Sequence, residues 1–71
     1  MTQEILNTLR GWYESGIERH AMNVRIMVNN PIAIHDHTDF MGAVEAELEK
    51  IAEYQDKLEA LNFVIGGIAN E

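Results

Sequence analysis

The eleven residues Asn29-Asn30-Pro31-Ile32-Ala33-Ile34-His35-Asp36-His37-Thr38-Asp39 divide the chain into two segments of helical periodicity. Pro31 is the only proline. Its ring pushes the preceding residue out of the helical region, so a helix arriving from the N-terminal side ends near Asn29. On that side Ile5, Leu6, Leu9, Trp12, Tyr13, Ile17, Val24 and Met27 fall within one arc of about 120–140° at ~100° per residue. Glu4, Asn7, Glu14, Glu18 and Arg25 lie opposite. This pattern predicts an amphipathic helix over 3–29.

On the C-terminal side Asp36 or Thr38 supplies a helix cap, and Asp39 in the first turn suits the helix dipole. Phe40, Met41, Val44, Leu48, Ile51, Tyr54, Leu58, Leu61 and Ile65 then recur on one face. Gly66-Gly67 is the expected stop. The second helix is predicted over 38–65, with a short tail at 66–71.

Two long helices joined by a short connection pack antiparallel, which predicts an all-α helical hairpin. With the turn at its midpoint, facing residue numbers add to about 67 (29 with 38). Met27 then faces Phe40, Val24 faces Ala43 and Val44, and Ile17 faces Lys50 and Ile51. Tyr13 faces Tyr54, Leu9 faces Leu58, and Leu6 faces Leu61. Apolar residues meet apolar ones along almost the whole length, a match that neither helix required alone.

A chain of 71 residues and 8.1 kDa makes one small domain. Compact folding of that mass buries roughly 7,200 Å², which at ~25 cal/mol/Å² on its apolar share contributes on the order of 110 kcal/mol. Ordering the residues costs on the order of 105 kcal/mol, so a lone monomer is marginal. Met22 and Ile26 add a second apolar stripe on the first helix, about 100° from the first. Tyr54, Leu61 and Ile65 widen the face of the second. Arcs this wide fit a homodimeric four-helix bundle, with Trp12, Met22, Ile26, Tyr54, Leu61 and Ile65 as the candidate interface.

Two polar residues interrupt the apolar faces. His20 lies between Ile17 and Val24, and Glu47 between Val44 and Ile51. The register sets them opposite each other. A carboxylate leaving water needs a partner, and an imidazole provides one. The expectation is a hydrogen-bonded pair that fixes register. The alternative is a small metal-binding bundle using His20 and Glu47, or the His35–His37 loop, where His-x-His on an extended segment presents both rings to one side. Trp12 falls opposite Gln55, whose amide oxygen can accept from the indole N–H; the ring belongs to the core or dimer interface, or anchors another protein. Gly16, on the apolar arc, lets another helix approach closely.

No catalytic constellation is present. The chain has no cysteine and no phosphate loop or nucleophile elbow. Glu53-x-x-Asp56 resembles half of the acidic metal motif of all-α nucleotide pyrophosphohydrolases, but its Glu-x-x-Glu companion is missing; helix 1 offers only Glu14 and Glu18, one residue too far apart. The chain is therefore read as no enzyme and as needing no cofactor. Its net charge of −7, with five cations scattered singly, excludes nucleic acid and acidic membranes as partners and leaves a basic protein partner open. Such a contact would use the acidic face of the second helix or the apolar tail. No run reaches the ~18 apolar residues of a membrane span, and the first residues lack signal-peptide features, which points to the cytoplasm.

The stretch Ile34–Leu61, IHDHTDFMGAVEAELEKIAEYQDKLEAL, resembles small uncharacterised helical proteins encoded by marine cyanophages. The likeness covers under half the chain and carries no catalytic motif. The resemblance attaches no function and implies at most a viral accessory role, in a host cytoplasm. In architecture the chain resembles Rop-type helical-hairpin dimers, without the basic face those use to bind RNA.

Overall fold

The structure, a computed structural model, describes residues 2–30 and 37–69. Helix α1 runs Thr2–Asn29 and helix α2 runs His37–Ala69. At the end of α1 the backbone N–H of Asn30 donates to Ile26 O at 3.1 Å and to Met27 O at 3.3 Å. The Asn30 side-chain amide adds a bond to Ile26 O at 3.3 Å. The carbonyls of the last turn thus gain partners just before Pro31, where the helix must stop.

The helices pack antiparallel: Tyr13 meets Tyr54, His20 meets Glu47, and Arg10 Nη2 donates to Asn62 Oδ1 at 3.4 Å. The resulting rod measures 54 × 16 × 13 Å. Leu6, Leu9, Ile17, Val24 and Met27 from α1 and Phe40, Val44, Ile51, Leu58 and Ile65 from α2 line the seam, all only half-buried. Among the described residues Leu61, 8% exposed, is the one buried large apolar side chain. Two helices alone cannot cover both sides of a seam, so shallow burial follows from the architecture.

Several boundaries and positions differ from those the sequence suggests. Both helices begin one residue early, and α2 continues through Gly66-Gly67 to Ala69, so residues 66–69 are helical and not a tail. Among the described residues no glycine adopts positive φ, so neither glycine forms the left-handed cap that would end a helix. Ile5, Met41 and Leu48 are exposed. Trp12 is 67% exposed and Gln55 is exposed, so the proposed Trp12–Gln55 pairing does not form within the hairpin. At ~100° per residue Trp12 points about a quarter-turn away from the seam. Leu61, by contrast, is buried in the seam, and Tyr54 stacks within it while staying half-exposed beside Trp12. The caps at Asp36 and Thr38 and the His35–His37 site lie outside the described residues or side chains. No described helix is long and apolar enough to cross a membrane.

Candidate functional site

The polar centre of the seam is built from three side chains. His20 projects from the third turn before the end of α1, and Asn23 lies three residues on, on the same face. Both meet Glu47 of α2. His20 Nδ1 hydrogen-bonds to Glu47 Oε2, and Asn23 Nδ2 donates to Glu47 Oε1 at 3.0 Å. A carboxylate only accepts, so the imidazole carries its proton on Nδ1. The side chains of His20 and Glu47 are 18% and 19% exposed, which makes the pair part-buried.

The hydrogen bond from His20 holds the Glu47 carboxyl below the ordinary glutamate range. Partial burial opposes this, while the Asn23 amide and the charge of a protonated His20 add to the lowering. Each carboxylate oxygen is engaged, so the arrangement acts as a clamp between helices more readily than as a free base. Sequence reasoning missed Asn23. The i,i+3 spacing from His20, toward a carboxylate already set opposite, was the available signal.

An aromatic layer continues from the clamp. The His20 ring stacks on Tyr54 at 5.9 Å between centroids and 25°, and Tyr54 tilts against Tyr13 at 6.3 Å and 38°. Gly16 makes room for this layer and is buried beneath Tyr54. Lys57 Nζ stands 5.9 Å from the Tyr54 ring centre on the solvent side. Glu53 bridges Lys50 at 3.6 Å and Lys57 at 3.4 Å. The charge of Lys50 is the main cause of its lowered pKa, followed by Lys57. These groups are exposed, and such pairs contribute little to stability. Glu53 therefore belongs to a solvated ion-pair run, and Asp56 beside it is exposed. Among the described residues no group of three or more His, Cys, Asp or Glu is placed to hold a metal.

A second feature lies a quarter-turn from the seam on α1. Ile5, Trp12, Arg19 and Ile26 recur every seven residues, and Thr8, Ser15 and Met22 interleave with them. That is the heptad spacing of a helix-packing stripe. Its four large apolar side chains are all more than half exposed. Open grooves flank Trp12 on both sides, one lined by Ile5, Thr8 and Leu9, the other by Ser15, Arg19 and Tyr54. The candidate interface residues therefore separate: Trp12, Met22 and Ile26 share the open stripe, and Tyr54 and Leu61 belong to the seam. Ile65 is half-buried near the end of α2. Comparison with protein-family models, curated proteins and solved structures gives no match.

Proposed function

We propose that the chain is a homodimeric structural or interaction module in which two hairpins form a four-helix bundle, acting by binding protein and not by catalysis. One observation carries this reading. The hairpin exposes 5528 Å², whereas a compact protein of this mass exposes about 4,500 Å². The excess of about 1,000 Å² is close to the ~800 Å² that each partner contributes to a standard stable interface. A heptad stripe on one helix is the form in which bundles present such area. The acidic outer side of α2, with Glu45, Glu49, Asp56 and Glu59 exposed, would remain outside the bundle and favours a basic protein surface as onward partner. Sedimentation equilibrium at micromolar concentration tests the core of the proposal. A dimer mass is expected; a cooperatively melting monomer would overturn it.

A further inference from the structure

Resting on that dimeric reading, we infer that the two copies join through the exposed stripe of α1, packed antiparallel on the same stripe of the partner about a two-fold axis near residues 13 and 14. The choice of surface follows from charge. On the corresponding side of α2, the edge beside the Trp12 stripe carries the run Lys50, Glu53 and Lys57, all exposed and paired with one another. Seating Trp12 of one copy there would strip water from three charges and bring Arg19 toward the partner's Lys50. The stripe of α1 has one charge, Arg19, on a long stem that can lie against an aromatic face. Stripe on stripe is the less costly contact.

The register follows from size and charge together. In antiparallel helix pairs the two heptad positions of one helix meet the alternate positions of the other. Two settings overlap the helices well. In the first, Trp12 meets the partner's Ser15, Ile5 meets the partner's Met22, and Arg19 meets the partner's Thr8. Each large side chain finds a small or flexible one, as close packing requires. Glu4 and the partner's Arg25 then flank the contact as opposite charges, twice by symmetry. The second setting, one heptad along, places Glu18 against the partner's Glu18 at the axis and sets Ile5 against the partner's Asn29. Charge selects the first.

Spin labels on cysteines introduced singly into this cysteine-free chain read the arrangement directly. Labels at Asn29→Cys are expected about 45 Å apart along the axis in the first setting and about 36 Å in the second, at 1.5 Å rise per residue. If α1 instead packs on the partner's α2 about an axis parallel to the rod, they lie only about 10–15 Å apart, a lateral helix spacing. Labels at Asn7→Cys, should the first variant fail to fold, expect about 20 Å against about 30 Å. Charge exchange gives an independent reading: Glu4→Arg or Arg25→Glu alone should weaken dimerisation about three- to tenfold, and the double variant should restore it. A dimer with the short or the 36 Å distance, or without rescue, overturns this register and leaves the dimer standing. A wild-type chain that stays monomeric overturns both.

Discussion

The ring of Tyr54 lies directly over the backbone of Gly16: a Cβ at position 16 would come within 2.7 Å of Tyr54 Cε2 and 2.8 Å of Cδ2. The helices approach closely here because one of them has no side chain. The same contact sets Tyr54 between His20 and Tyr13, so the polar clamp and the aromatic layer depend on one glycine.

Gly16→Ala should therefore destabilise the hairpin. Overpacking costs ~1–3 kcal/mol, and the ~1 kcal/mol that alanine gains over glycine in a helix offsets only part of it. Gly11 is the internal control, since a Cβ there meets nothing within 4 Å. Gly11→Ala should stabilise by up to ~1 kcal/mol. Urea unfolding of the two variants should give changes of opposite sign. Equal stabilisation by both would mean that the Tyr54 ring moves aside freely.

The His20–Glu47 clamp predicts a pattern across four proteins. Glu47→Gln keeps the shape but removes the charge that the His20 bond favours. Its melting midpoint should fall further than that of Glu53→Gln, because Glu53 is exposed and already hydrated. His20→Leu alone leaves Glu47 with only Asn23, and should also destabilise. Combining His20→Leu with Glu47→Leu should recover most of the loss, since an apolar pair fills the seam without taking charge from water. Strictly additive effects in the cycle would show that the two side chains are not energetically coupled.

The lowered pKa of Glu47 gives the same clamp a pH signature. A carboxyl whose folded pKa lies below its unfolded value binds fewer protons folded than unfolded. Its contribution is complete above the ordinary glutamate pKa and is lost as pH falls through the depressed folded value. Through the carboxylate range, where only Glu47 distinguishes the two proteins, the stability difference between wild type and Glu47→Gln should thus close as pH falls below the ordinary glutamate value. Glu53 is also lowered but is common to both proteins and cancels in the difference. Urea titrations from pH 5 to 3 measure it. A gap that widens over that window would contradict the assignment.

How far the sequence could be read depended on which signal each feature left. Asn29-Asn30-Pro31 and the two apolar periods are strong local signals, and with them came the antiparallel register that sets His20 against Glu47 and Tyr13 against Tyr54. Trp12 was misplaced for a geometric reason. The seam stripe and the open stripe of α1 differ by one residue, about 100°, so a single wide apolar arc merges them and hides which residues face α2. Composition also cannot tell that Leu61 is buried within the hairpin while Met22 and Ile26 stay outside. Gly66-Gly67 reads as a stop because glycine usually ends helices in the left-handed conformation. Here both remain right-handed, between the half-buried Ile65 and the exposed Ile68.

Trp12 provides the most direct reading of the bundle, because it is the only tryptophan and is 67% exposed in the isolated hairpin. If the α1 stripe is the interface, the indole passes from water into a packed contact on association. Its emission should then shift to the blue as concentration rises, in step with the dimer fraction found by sedimentation. Truncating a central aromatic anchor of an interface typically costs ~2 kcal/mol or more, which is about 30-fold in Kd. Trp12→Ala should lose at least that much affinity. Because the ring lies outside the α1–α2 seam, circular dichroism of the diluted variant should match diluted wild type. The wild-type melting temperature should also rise with protein concentration, and that of Trp12→Ala should do so only at higher concentration. A Trp12→Ala variant that dimerises like wild type, with tryptophan emission in the wild type independent of concentration, would place the contact on another face of the rod.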